Sequence, residues 1–215
     1  GRAPEDIHLL VVTKTHPVET IQCVLDEGMI HLGENYVEEA REKIIALQGN
    51  PLSYWHMIGH VQSRKSSEVI RLFNMVHSLD SVKLAQRLNA FAVEQKKILS
   101  VLLEFNLGSE ESKSGWKPGM EHEWKELLPQ IERITTLSNL QVCGLMTMPP
   151  FFDDPEDARP YFRRLCQLRG YFEKHFPLTH WKDLSMGMSS DYEVAIEEGA
   201  TWVRIGQAIL GPRYS

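Results

Sequence analysis

Short β-rich runs alternate with amphipathic helical stretches along the whole of this 215-residue chain, and the rhythm never breaks. Apolar, β-branched runs place strands at 7–13, 29–32, 54–58, 75–79, 98–105, 142–146, 183–186 and 201–205. Helical periodicity fills the intervals at 18–27, 36–47, around Val69–Leu72, and at 82–95, 121–135, 155–175 and 191–198. Pro17 is well placed to open the first helix, and Gly28 and Gly199 to close the first and last. Strands separated by helices pair in parallel, because a parallel connection must cross over and a helix is the usual way to do it. Eight such units fit a closed (β/α)8 barrel better than an open doubly wound sheet, at the lean end of that fold's size range. No linker, low-complexity tract or change of composition divides the chain. The expectation is one domain over residues 1–215, with residues 1–6 a loop ahead of the first strand.

Charge narrows the function. A net charge of −6 argues against nucleic acid as the main partner, because backbone binding needs a basic face. No apolar run reaches membrane-spanning length and no signal peptide is read, so no membrane partner is expected. The cysteines, Cys23, Cys143 and Cys166, are odd in number and widely spaced, which suits a reducing compartment. A cytoplasmic location is therefore expected.

In a barrel of this kind the chemistry gathers where the C-terminal ends of the strands meet. Those ends read Thr13–Lys14, Glu34–Asn35, Gly59–His60, Asp80, Asn106, Thr147, Gly187–Met188–Ser189 and Arg204–Ile205–Gly206. Asp80, Asn106 and Thr147 suit ordinary turn or cap chemistry. Lys14 and Arg204 stand apart, since each follows apolar strand residues where an unpaired charge is costly. Desolvation lowers a lysine's pKa and frees its amine to attack a carbonyl. Ser190-Asp191-Tyr192-Glu193 has capping-box spacing, so Ser190 is read as its helix's cap and Ser189 is left to meet an anion. Gly206 lets backbone N–H groups approach an oxyanion, and the loops after strands seven and eight are the usual phosphate cradle of this fold. An amine nucleophile beside a phosphate cradle suggests a phosphorylated aldehyde, with pyridoxal phosphate the foremost candidate. Arg204 shares a strand face with Gly206 and would sit at a pyridine nitrogen, or else pair with a carboxylate such as Glu34. Asn35 is a candidate to hydrogen-bond the ligand's 3′ oxygen or else closes a turn, and Met186 and Met188 read as packing residues, with a ring contact the alternative for Met188. His56 and His60 read as core rather than ligand residues, Trp55, Trp181 and Trp202 as core or rim aromatics, and Lys65 and Lys113 as solvated.

Taken together, Val12-Thr13-Lys14-Thr15, Gly33-Glu34-Asn35-Tyr36, Trp55-His56-Met57-Ile58-Gly59-His60-Val61-Gln62, Leu145-Met146-Thr147, Leu184-Ser185-Met186-Gly187-Met188-Ser189 and Val203-Arg204-Ile205-Gly206 closely resemble the pyridoxal phosphate homeostasis proteins. The resemblance spans essentially the whole chain. It implies a barrel like the N-terminal domain of alanine racemase, without the C-terminal β domain. It implies pyridoxal 5′-phosphate held as an internal aldimine on Lys14, with phosphate contacts from Ser189, Gly206 and Gln207 and with Arg204 at the pyridine nitrogen. Asn35 and Met188 would line the pocket. The implied role is a monomeric carrier or buffer of the cofactor, without established turnover, whose partners would include pyridoxal phosphate-dependent apoenzymes. The sequence departs from the family pattern in lacking a helix before the first strand, in His16 where a second lysine is common, and in Gln207 where a small hydroxyl residue is common.

Two enzyme readings compete. An amino-acid racemase would need a second base, which alanine racemases take from a further domain and a partner subunit. A sugar-phosphate aldolase would use Lys14 and the same phosphate cradle without a bound cofactor. A purely structural, partner-binding role ranks below both, because it leaves the charged strand ends unexplained.

Overall fold

The structure is a computed structural model that describes residues 1–47 and 52–212. Eight parallel strands close into a barrel in chain order: β1 (His8–Val12), β2 (His31–Glu34), β3 (Tyr54–Met57), β4 (Met75–Leu79), β5 (Leu99–Phe105), β6 (Leu140–Thr147), β7 (Asp183–Ser185) and β8 (Trp202–Ile205). Closure is made by β1 against β8, with Leu9 opposite Val203 and Leu10 opposite Arg204. Around the strands lie α1 (Val18–Asp26), α2 (Val37–Ala46), α3 (Ser66–Leu72), α4 (Val82–Glu94), α5 (Leu128–Thr135), α6 (Arg159–His175), α7 (Tyr192–Glu197) and α8 (Gln207–Leu210).

The period of two along each strand sorts its side chains into two cores. Outward residues, among them Val11, Leu32, Met57, Val101, Leu145 and Val203, pack beneath the helices. Inward residues form a second, smaller cluster of Leu10, Ile58, Met75, Leu102, Met146 and Trp202 inside the barrel. Every element expected from the sequence is present, and several boundaries move for identifiable reasons. The expected helix over 121–135 is a 3-10 turn, Glu121–Glu126, followed by α5, because Pro129 has no N–H to carry a helix through. Pro160 has the same effect between the 3-10 turn Pro155–Ala158 and α6. β2 starts two residues later than expected and runs on to Glu34, a buried carboxylate that does not look like a strand residue in isolation. The segment read as a leading loop contains a 3-10 turn, Pro4–Asp6, and Arg2 donates to the carbonyl of Ala200.

Candidate functional site

Lys14 sits on a turn that the outer shell clamps in place. Thr13 donates its hydroxyl to Glu34 Oε1 at 2.6 Å, and Lys43 Nζ donates to the Thr13 carbonyl at 2.7 Å and to the same Glu34 oxygen at 2.8 Å. Thr15 N–H donates to Glu39 Oε1, which also takes a bond from Lys43 at 2.6 Å. The clamp holds strain, since Thr15 has φ of 65°, a left-handed conformation that a β-branched residue adopts only under constraint. Such strain clusters at functional sites, and here it lies next to the one lysine that the sequence singles out. Burial raises the pKa of Glu34, while Lys43 and the Thr13 hydroxyl pull it back down. Glu34 is therefore committed to Lys43, and the Arg204–Glu34 ion pair weighed from the sequence is not formed.

Arg204 points into the barrel, almost fully buried, and is held by its neighbouring strands. Its Nη1 donates to Ser185 Oγ at 2.7 Å and its Nη2 to the Thr147 carbonyl at 3.0 Å. Burial lowers its pKa to about 10, with Asp191 and Glu104 acting in the other direction, so the guanidinium stays charged at neutral pH. Glu104 is 6% exposed, and its Oε2 has no hydrogen-bond partner among the described residues. Burial, reinforced by Asp80 and opposed by Arg204, raises its pKa to about 7. The strand run Leu99–Phe105 is apolar apart from Ser100 and Glu104, so Glu104 was visible in the sequence as a carboxylate inside a buried strand. It was not singled out.

The turns after β7 and β8 meet. Ala208 N–H, in the first turn of α8, donates to Ser189 Oγ at 3.3 Å, and the N-cap of α8 is Gly206. Ser190 does not cap α7. The N-cap is Asp191, whose Oδ1 instead accepts from Met188 N–H at 2.6 Å and fixes the β7 turn from within. Gly187 in that turn has φ of 94°, and a Cβ there would lie 2.6 Å from the Ala195 methyl, so only glycine fits. Gly59 is required for a different reason, since a Cβ would fall 2.3 Å from the Asn35 carbonyl oxygen.

These features open on one cavity of about 510 Å³ at the C-terminal mouth of the barrel. All seven residues singled out from the sequence line it: Lys14, Asn35, Met188, Ser189, Arg204, Gly206 and Gln207. Glu104, His60, Lys113 and Phe151 also line it. Lys113 is not the freely solvated residue expected. Its Nζ lies 2.5 Å from Glu110 and 3.0 Å from the Pro149 carbonyl, tying the loop after β5 to the loop after β6. Lys65 likewise is engaged, with Glu38 and Glu68. Among the described residues no cluster of histidine, cysteine or carboxylates is arranged to hold a metal, and no helix is long and apolar enough to cross a membrane.

Residues 2–213 match the family model described as the alanine racemase N-terminal domain. The pyridoxal phosphate homeostasis protein of Aquifex aeolicus is 42% identical, the match covering 99% of this chain and 90% of that protein. Its Escherichia coli counterpart is 37% identical over 99% of this chain and 88% of its own length. Among solved structures, PipY of Synechococcus elongatus without pyridoxal phosphate superposes with a TM-score of 0.91 at 32% identity, covering 98% of this chain and 95% of that one. PipY with pyridoxal phosphate bound gives 0.87 at 31% identity over the same shares. An alanine racemase of Clostridium difficile, at 17% identity and a TM-score of 0.72, shares the fold. On the strength of the barrel, the clamped lysine turn and these matches, the chain belongs to the pyridoxal phosphate homeostasis protein family.

Proposed function

We propose that the chain binds pyridoxal 5′-phosphate in the mouth cavity and serves as its carrier or buffer in vitamin B6 homeostasis. One observation carries the reading: Lys14, the joined turns of Ser189 and Gly206–Gln207, and Arg204 all line the same cavity. The donor set suits the group. An amine answers an aldehyde, a hydroxyl with two backbone turns answers a phosphate, and a guanidinium answers a ring nitrogen. When bound, pyridoxal phosphate supplies an aldehyde that condenses with amines and a ring that can take up electrons.

This chain's residues would favour holding over turnover. Lys14 would bind the aldehyde carbon, on a turn fixed by Glu34, Lys43 and Glu39. Ser189, Gly206 and Gln207 would hold the phosphate, while Asn35 and Met188 would border the ring. Arg204 has only N–H donors and a pKa of about 10, so it offers a hydrogen bond to a ring nitrogen without ceding a proton. An unprotonated ring withdraws electrons poorly, which disfavours carbanion chemistry. We assign residues 1–215 to a single cofactor-binding barrel, monomeric and cytoplasmic, that passes its cofactor to pyridoxal phosphate-dependent apoenzymes.

The test is an absorbance spectrum of the purified protein, then borohydride reduction and peptide mapping. A yellow protein with the reduced adduct on Lys14, abolished in a folded Lys14→Ala variant, is the expected result. An adduct on Lys113 in its place would overturn the assignment. A colourless protein trapped by borohydride only after a keto sugar phosphate is added would point to the aldolase reading. Amino-acid turnover at about 1 per second or more would replace the carrier with an enzyme.

A further inference from the structure

Three histidines on three adjacent strands form one hydrogen-bonded column inside the barrel. His31 Nδ1 lies 3.0 Å from His56 Nε2, His56 Nδ1 lies 3.0 Å from His77 Nε2, and His77 Nδ1 lies 2.9 Å from Ser185 Oγ. Ser185 is the hydroxyl that accepts from Arg204 Nη1. The column thus runs from the half-buried His31, near the N-terminal end of the barrel, to the cation beneath the mouth cavity. Nothing in the proposed cofactor role uses it.

The contacts restrict the protons. A neutral imidazole has one N–H and one acceptor nitrogen, so only two arrangements satisfy every contact in the column. In the first, Ser185 donates to His77 Nδ1, His77 Nε2–H donates to His56 Nδ1, and His56 Nε2–H donates to His31 Nδ1. In the second, every direction is reversed. His77 then donates to a Ser185 oxygen that already accepts from Arg204, and the serine's own proton has no acceptor among the hydrogen bonds of the described residues. The first arrangement also turns the acceptor end of each imidazole toward the guanidinium. Its aligned dipoles help a buried cation whose hydrogen-bond acceptors, Ser185 and Thr147, are both neutral. Both central rings are held neutral. Burial, then the neighbouring histidines, brings His56 down to about 3, and burial is the main cause for His77 as well.

We propose that His31, His56, His77 and Ser185 are a positioning relay for Arg204, in which the imidazoles share one hydrogen-bond direction and transmit the protonation of His31 to the guanidinium. Protonated His31 carries N–H on both nitrogens, and its Nδ1–H confronts the Nε2–H of His56. The conflict is relieved by passing the reversal up the column, so that Ser185 becomes a double acceptor and its hydroxyl turns away. The groups facing His31 are His8 on β1, Tyr54 and His56 on β3 and Trp202 on β8. The charged groups acting on Arg204 are Asp191 and Glu104, and Asp183 on β7 acts near His8. Burial and His8 together place the titration of His31 below the ordinary 6.5, so the reversal belongs to acid pH and the first arrangement to neutral pH.

Two-bond ¹H–¹⁵N spectra of the full chain test this, because they read which nitrogen of each histidine carries the proton. The readout lies in the histidines and is therefore independent of whether the cofactor proposal holds. At about pH 7.5, His56 and His77 should both be Nε2–H tautomers. On acidification both should change to Nδ1–H with the same midpoint as His31, and in His31→Phe the acid-linked change should disappear. Opposite tautomers at His56 and His77, Nδ1–H on both at neutral pH, or midpoints unrelated to that of His31 would each overturn the proposal. If His31→Phe does not fold, the wild-type titration decides alone.

Discussion

At the mouth, inward positions in line with β1, β5 and β8 carry Lys14, Glu104 and Arg204. Toward the other end, the same three strands carry His8, Ser100 and Trp202. The rings of His8 and Trp202 stack with centroids 4.4 Å apart, and the edges of His31 and His77 meet Trp202 at 4.9 and 5.7 Å. One end is built to keep charge beside a cavity, the other to pack rings against one another. The difference teaches which groups stay charged when dehydrated. A guanidinium begins so far above neutrality that burial leaves it charged at about 10, whereas His56, brought to about 3, loses its charge. Glu104, at about 7, lies between the two.

The comparison can be broken most severely at the ring-packed end. Trp202→Ala removes the indole that packs against His8, His31, His56 and His77 and should cost about 4 kcal/mol in urea unfolding, while leaving Lys14 able to take its label. A loss under about 1 kcal/mol would mean that this end of the barrel is loosely filled. At the charged end, Glu34→Ala removes the more deeply buried of the two carboxylates on Lys43, leaving it Glu39 and the Thr13 carbonyl, and should cost about 3 kcal/mol. Adding Lys43→Met should recover part of that loss, since the buried ammonium that has lost one of its two carboxylates goes with it. No recovery in the double variant would show that the pair does not act as a unit.

Glu104 sharpens the contrast through pH. Its folded-state pKa, about 7, lies above the ordinary 4.5, so the folded protein binds more protons between those values. The contribution is complete below 4.5 and is lost as pH rises through about 7. At about 1.4 kcal/mol per pH unit, the loss amounts to at most roughly 3 kcal/mol. Glu104→Gln should flatten this part of the stability profile, and an unchanged slope between wild type and variant would place the titration elsewhere. The smallest effect belongs to the rim. Lys113→Met removes a partly exposed pair with Glu110 and should change stability by less than about 1 kcal/mol. A larger loss would make the tie between the β5 and β6 loops a structural brace.

Much of this molecule was legible residue by residue. Alternation along Trp202-Val203-Arg204-Ile205-Gly206 puts Arg204 and Gly206 on one face, and the same rule sends Val203 and Ile205 outward to the helices. Lys14 was legible because a lysine closing an apolar run has few structural explanations. Less legible was anything joining distant strands. Ser190 looked like a cap from its spacing, but Asp191 takes that place and bonds back to Met188 N–H. Glu34 looked like a partner for Arg204 until the fold set Lys43, nine residues along and one helix away, against it. His56 reads alone as a satisfied core residue, and it is one, but its partners come from β2 and β4.

Local sequence determined the repeating strand–helix unit, the face each strand residue takes and the lysine-bearing turn, because these depend on steric preferences and on periods of two and 3.6 residues. Only the closed barrel decided that seven scattered residues would line one cavity, that three histidines would share protons, and that Glu104 would titrate near neutrality. Those outcomes depend on distances across the barrel and on exclusion of water, and both come into being when β1 meets β8.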